Sequence, residues 1–531
     1  MSSRTVTGYF PGDYVEAFGD KPAVIDAASG QSVSYRQLDR RSIQLARRWH
    51  DRGLRPGDHV ALLTDNDPVA FEVYWAALRS GLYITAVNWH LAPSEAAYIV
   101  EDCGARALVA SARLREVVEQ LPIDPDRVSD RLVFGGPIDG FASYEAELAG
   151  ISPTPLPDQP RGSDMLYSSG TTGRPKGIKP KLPTHQVNEP GDLYTQLFGT
   201  AYGFDQDSVY LSPAPVYHAA PLRFGAMVQA LGGTVVLMAK FEPEPALAAI
   251  QRYRVTHGQW VPTMFIRMLK LPAQTRARYD LSSMKVAVHA AAPCPVDVKQ
   301  AMIDWWGPIL QEYYSSTEGN GVTFISSAEW VQRPGSVGRA GVGVLHICDD
   351  DGNELPAGEI GSVYFERDEQ PFCYHGDPEK TAKALHPRHP NWSTTGDLGY
   401  LDADGYLFLT DRRGFMIISG GVNIYPQEIE NALALHPSVV DVAVIGVPDD
   451  EMGESVHGVV IPAIDTPAEQ LAAELTDFLR GRVARFKLPG AYSFVQQLPR
   501  THTGKLAKTR LAQQISGATT VTVTTTRKAT S

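Results

Sequence analysis

The sequence predicts an α/β protein: a large N-terminal domain of two α/β subdomains plus a β-rich subdomain, then a small α+β C-terminal domain. Three observations predict it. Amphipathic helical stretches alternate with short apolar runs through residues 1–150, and again after residue 163. Over residues 340–411 the texture changes to alternating residues punctuated by Asp-Gly pairs. After Arg413 the helix and strand patterns resume on a smaller scale.

The elements follow in order. SYRQLDRRSIQLARRWHDRGL (34–54) carries Leu38, Ile43, Leu45, Ala46 and Trp49 at helical spacing, and Gly53 supplies a stop. RPGDHVALLTDN then reads as a turn and a buried strand. VAFEVYWAALRSGLYITAVN repeats the scheme around Gly81. ISPTPLPDQPRGS (151–163) is a proline-rich connector into a short strand, DMLY. VYLSPAP, GGTVVLM and KVAVHAAAP read as strands and PALAAIQRYRV as a helix. Asp351-Gly352 and Asp404-Gly405 suit tight hairpin turns. In the last region PQEIENALALHPSV and AEQLAAELTDFLRGRVA read as helices, VDVAVIGVPD and HGVVIPAI as strands. The expected domains are 1–413 and 414–515. The threonine-rich stretch 516–531 is expected to be a disordered tail.

Composition narrows the function. With 531 residues, 43% hydrophobic and 20% charged, the chain can bury a large core. A net charge of −12 argues against a nucleic acid as partner. There is no apolar signal region and no run of about eighteen apolar residues, so neither secretion nor integral membrane association is expected. Cys103, Cys294, Cys348 and Cys373 show no C-x-x-C spacing, which argues against a disulfide framework or a structural zinc. A soluble cytoplasmic protein is the expectation.

The stretch with the clearest chemistry is YSSGTTGRPKG, residues 167–177. It is not a P-loop: Pro175 stands where the second glycine belongs, and Gly177 replaces the magnesium-binding Ser or Thr. No helix pattern follows it. Such a loop must bind phosphate with its own backbone N–H groups, the hydroxyls of Ser168, Ser169, Thr171 and Thr172, and the Lys176 ammonium. Gly170, Gly173 and Gly177 leave it free to open and close.

The loop resembles the phosphate-loop signature of the adenylate-forming superfamily, which includes acyl-CoA synthetases, peptide-synthetase adenylation domains and beetle luciferases. EYYSSTEGNG (312–321), STTGDLGYLDADGYLFLTDRR (393–413), MIISGGVNIYPQEIE (416–430) and LPRTHTGKLAK (498–508) resemble further motifs of that family, in its order. The resemblance implies a stand-alone acyl-CoA synthetase using ATP, Mg²⁺ and coenzyme A. It implies that Tyr314 stacks on adenine, that Asp397 and Arg412 reach the ribose, and that Thr317 and Glu318 contact phosphate and Mg²⁺. It further implies that Lys505 bridges the substrate carboxylate and the α-phosphate, and that His218, Ala290, Ala291, Ala292 and Ser315 line the acyl end. The C-terminal domain is then mobile, pivoting at Gly414 beside Phe415, with Gly420 and Gly421 presented to the thiol channel.

Peptide-synthetase adenylation domains carry an aspartate for the substrate amine in the stretch that 218–237 resembles; none occurs here, so the resemblance implies an apolar carboxylic acid, fatty, aryl or ring-bearing, and not an amino acid. The expected partners are that acid, ATP and CoA. An acyl-adenylate ligase loading a separate carrier protein and a non-catalytic nucleotide sensor stay open as alternatives, as does a homodimer.

Overall fold

Ser34 opens the first long helix, Tyr35–Asp51, through a capping box: its hydroxyl accepts from Gln37 N, and Gln37 Oε1 accepts from Ser34 N at 2.8 Å. The computed structural model describes residues 8–168, 175–420, 422–449, 452–463, 466–499, 508, 511 and 519–522, with the backbone alone at 168, 412, 413 and 519. Leu38, Leu45 and Trp49 form the buried stripe of this first helix. They pack over a parallel sheet whose strands run Ala142–Ser143, Asp130–Phe134, Ala105–Ser111, His59–Leu63, Tyr83–Ala86, Ser163–Asp164. All five residues of His59–Leu63 are buried, as a strand covered on both faces requires.

The second sheet has fourteen strands among the described residues. Its parallel part places Val209–Ser212, His257–Trp260, Val286–His289 and Leu310–Ser315 side by side. Pro22–Asp26 joins its far flank next to Thr234–Leu237, so the first strand of the chain lies outside the sheet formed by its sequence neighbours. Beyond Leu310–Ser315 the sense reverses. Val322–Ser326, Ser336–Val342 and Leu407–Arg412 follow antiparallel, then Asp397–Leu401, Gly361–Glu366 and Val344–Cys348. The β-rich region thus extends the second α/β sheet. Its Asp-Gly turns are as expected: Gly352 and Gly405 have φ of +77° and +79°.

The stretch after the phosphate loop is not helical, as its sequence implied, and forms a strand. Lys176–Lys179 pairs antiparallel with Leu166–Ser168 on one side and Cys373–Tyr374 on the other.

The C-terminal region packs helices Pro426–Leu433 and Ala468–Leu479 on a sheet centred on Val439–Asp449, Gly453–Pro462 and Ala491–Phe494. The second helix stops at Leu479, short of the 468–484 pattern, and Gly481 turns the chain with a φ of +84°. The expectation of a disordered tail over 516–531 is corrected for four residues. Thr519–Thr522 forms a strand antiparallel to Ala491–Phe494, and Val521 packs on the core. Alternating Thr and Val suit a pleated, half-buried edge.

One buried polar cluster lies under the middle of the second sheet. Lys299, on helix Val296–Trp306, and Glu312, on Leu310–Ser315, are both buried, with Nζ and Oε2 at 2.5 Å. His289 Nε2 is 3.6 Å from the same carboxylate oxygen. Burial and then the Lys299 charge hold the His289 pKa well below its usual value, so the ring is neutral. Burial pushes the Glu312 carboxyl up, against the pull of Lys299. Removing one partner leaves an uncompensated buried group. Lys299→Met is therefore expected to cost about 3 kcal/mol in denaturant unfolding, and Lys299→Met/Glu312→Leu to recover most of it. Equal stability of the single variant and the parent protein would contradict this account of the cluster.

Candidate active site

Parallel strands leave their loops on one edge, the edge where open α/β sheets generally bind ligands. Val209–Ser212 leads to His218, Val286–His289 to Ala290–Ala292, and Leu310–Ser315 to the turn bearing Thr317 and Glu318.

His218 is the N-cap residue of helix Ala219–Ala230, with its ring 4.3 Å from that of Tyr217. Ala290 is buried, while Ala291 and Ala292 are exposed. Ala291 has a φ of +76°, a left-handed conformation that a residue with a Cβ adopts only under strain. Ser315 Oγ donates to Gly321 O at 2.8 Å, which closes the loop over 316–320. Gly319 has a φ of +67° within that loop, and its carbonyl accepts from Arg367 Nη1 at 3.1 Å.

Tyr314 and Asp397 meet. The phenol donates to Asp397 Oδ2 at 2.7 Å, and Thr395 Oγ1 donates to the same oxygen at 2.9 Å. The Tyr314 ring stacks near Phe365, with centroids 6.1 Å apart. Asp397 is nearly buried and lies in register with Arg412 on the neighbouring strand.

The phosphate-loop side is joined to this edge through a contact the sequence did not reveal. Lys176, in register with Ser168, has its Nζ 3.8 Å from Asp377 Oδ2. Asp377 caps the short helix Pro378–Lys383 by accepting from Lys380 N at 2.9 Å. Tyr374, three residues before Asp377, donates its hydroxyl to Glu318 Oε1 at 2.9 Å. The Asp-Pro pair at 377–378 is a readable helix start, but nothing in its spacing points to Lys176 or Glu318.

The acidic end suits magnesium. Among the described residues no group of three or more His, Cys, Asp or Glu side chains is gathered for a metal. The turn offers one carboxylate, Glu318, beside the Thr317 hydroxyl. That is an all-oxygen set of the kind Mg²⁺ takes when substrate phosphates and waters complete its shell.

On the C-terminal side, Gly420 has a φ of +58° and donates its N–H to Met452 O at 2.8 Å; a Cβ there would lie 2.4 Å from Met452 Cε. Gly414 has open space around it. The Phe415 ring lies 5.3 Å from Lys508 Nζ, which pairs with Glu430 Oε1 at 2.8 Å. Ser169, Gly170, Thr171, Thr172, Gly173, Gly421 and Lys505 lie outside the described residues, as do the side chains of Ser168 and Arg412. No described helix is long and apolar enough to cross a membrane.

Comparison with known proteins identifies the family. Residues 13–370 match the AMP-binding enzyme family, and residues 428–505 match the AMP-binding enzyme C-terminal domain. A feruloyl-CoA synthase of Amycolatopsis sp is 34% identical over 485 residues, covering 90% of this chain and 93% of that protein. The fatty acid–[acyl-carrier-protein] ligase ScoC of Streptomyces coeruleorubidus is 32% identical over 509 residues, covering 93% of this chain and 94% of the relative. Among solved structures, the anthranilate CoA ligase AuaEII in complex with anthranoyl-AMP superposes with a TM-score of 0.80 at 26% identity, covering 97% of this chain and 99% of the other. The chain belongs to the AMP-binding enzyme family and is an AMP-forming acid–thiol ligase of the acyl-CoA synthetase type, working with ATP, Mg²⁺ and CoA.

Proposed function

We propose that the acid is an apolar carboxylate, fatty, aryl or ring-bearing, and that the residues named above divide the two half-reactions between them. The observation that carries the division is the meeting of Tyr314 with Asp397 at 2.7 Å, with Tyr314 on the strand that leads into the turn bearing Glu318. One edge thereby holds a nucleoside end and a phosphate end. The apolar acid is supported by the absence of acidic residues over 218–237 and by the aryl and fatty acids named for the relatives.

In the first half-reaction an oxygen of the acid attacks the α-phosphorus of ATP, and the bond to the leaving pyrophosphate breaks. Both reactants are anionic, so the protein's work is alignment and charge neutralisation. Tyr314 offers its ring to adenine, and Asp397 with Arg412 takes the ribose hydroxyls. Lys176 and the loop groups Ser168, Ser169, Gly170, Thr171, Thr172 and Gly173 hold the β- and γ-phosphates. Thr317 and Glu318 would hold Mg²⁺, which when bound neutralises charge on the phosphate oxygens. His218, Ala290, Ala291, Ala292 and Ser315 shape the acyl end. Lys505, the last residue matched by the C-terminal family domain, bridges carboxylate and α-phosphate as a compact cation.

In the second half-reaction the CoA sulfur attacks the acyl carbon and AMP leaves with the bonding pair. For this step the C-terminal domain, 414–515, turns at Gly414 and presents Gly420 and Gly421. Phe415, held against Lys508 in the arrangement described, biases one of the two poses. Four unpaired thiols support a cytoplasmic setting.

A hydroxylamine-trapping screen over a panel of acids is expected to give its strongest signal with apolar aryl or fatty acids; a preference for amino acids would refute the substrate class. AMP release that needs CoA and no other protein is expected, whereas activity only with an added carrier protein would favour the carrier-loading reading. Lys505→Ala should lower adenylation at least about 100-fold while keeping thioester formation from supplied acyl-adenylate; equal loss of both steps would sink the two-pose assignment. Phe415→Asp places a carboxylate against the Glu430–Lys508 pair and should change the ratio of the two half-reaction rates in single-turnover experiments. Unchanged rates for both steps would remove Phe415 from the mechanism.

A further inference from the structure

Two lysines border the group formed by Asp377, Tyr374 and Glu318. Lys176 belongs to the phosphate loop's return strand, Lys380 to the short helix Pro378–Lys383. The Lys380 ammonium lies 4.6 Å from the centroid of the Tyr374 ring, close enough to Lys176 to feel its charge. The hydroxyl of that ring is already committed to Glu318 Oε1. Asp377 serves both lysines from one carboxylate: Oδ1 accepts the Lys380 backbone N–H, and Oδ2 faces Lys176 at 3.8 Å, beyond a direct hydrogen bond. Neither Lys176 nor Asp377 is sealed off, with side chains 28% and 39% exposed.

Like charges brought this close repel, and the arrangement persists only where something offsets the repulsion. The local anions do so incompletely. Burial first, and then Lys176, depress the Lys380 pKa to about 8, while Glu318 and Asp377 pull in the opposite direction. Engagement of Glu318 with Mg²⁺ would withdraw one of those two carboxylates. The cluster then has an excess of positive charge, spread over two flexible donors on different elements. A polyanion with several terminal oxygens satisfies such a pair; a single carboxylate or an uncharged ligand does not.

We propose that Lys380 is a second phosphate-binding residue, gripping with Lys176 the β- and γ-phosphates of ATP and then the pyrophosphate that leaves. The inference rests on the reading of Lys176 as the phosphate-loop lysine. CoA also carries phosphates, and the position of Lys380 beside Lys176 and Glu318 assigns it to ATP instead.

Calorimetric titration of the full-length protein with ATP, inorganic pyrophosphate, AMP and CoA, all in the presence of Mg²⁺, tests this. Lys380→Met should weaken ATP and pyrophosphate about ten-fold and leave AMP and CoA unchanged, and Lys380→Arg should restore most of the loss. Unchanged ATP and pyrophosphate binding in Lys380→Met, or AMP weakened to the same degree, would overturn the proposal, as would a loss confined to CoA. Lys176→Met in parallel separates the two levels. If it alone weakens ATP and pyrophosphate, the second cation is wrong and the phosphate end stands; if neither variant does, the phosphate-end reading itself fails.

Discussion

The buried ion pair of Lys299 with Glu312 is the constraint on which the active edge depends. Glu312 lies two residues before Tyr314 on one strand, so the two share a face of the sheet. His289, drawn against the same carboxylate, is the residue immediately before Ala290. A pair with both members buried contributes little net stability against apolar residues of the same volume, because taking both charges out of water is costly. It does penalise any shift that separates them. The ends of two neighbouring strands are thereby held in one relative position, one carrying Tyr314 and the other Ala290.

From that anchored edge the site is assembled out of elements far apart in the chain. Asp397 reaches Tyr314 from the antiparallel half of the sheet, and Tyr374 reaches Glu318 from the three-stranded hairpin sheet that carries Lys176. The change from parallel to antiparallel at Leu310–Ser315 makes this possible. It brings the β-rich strands alongside the last parallel strand, so their loops overhang its C-terminal end. The left-handed backbone at Ala291 fits the same picture. Its strain is held by the packed strand behind it, at the place where the chain leaves Val286–His289.

Much of this was legible residue by residue. The helix at 35–51, the buried strand at 59–63 and the Asp-Gly turns follow from local periodicity and backbone preference, and all form where those signals stand. The departures have two causes. The helix read to residue 484 stops at Leu479 for a local reason, the left-handed Gly481 just beyond it, whereas part of the threonine-rich tail becomes a strand because a tertiary partner, Ala491–Phe494, overrules local pattern. Pro22–Asp26 likewise pairs with a strand some two hundred residues away, a choice its own sequence does not contain.

By itself, the sequence determined the α/β class and the chemistry. A glycine-rich loop lacking the P-loop's helix and magnesium hydroxyl, followed in order by the Tyr314, Asp397 and Lys505 motifs, specifies carboxylate activation by ATP, since residue types and their order are carried by the chain directly. Only the tertiary structure decided which side chains become neighbours: Asp377 with Lys176, Tyr374 with Glu318, Lys299 with Glu312. Those contacts depend on strand order and on where each loop crosses the sheet edge, and local spacing carries no record of either.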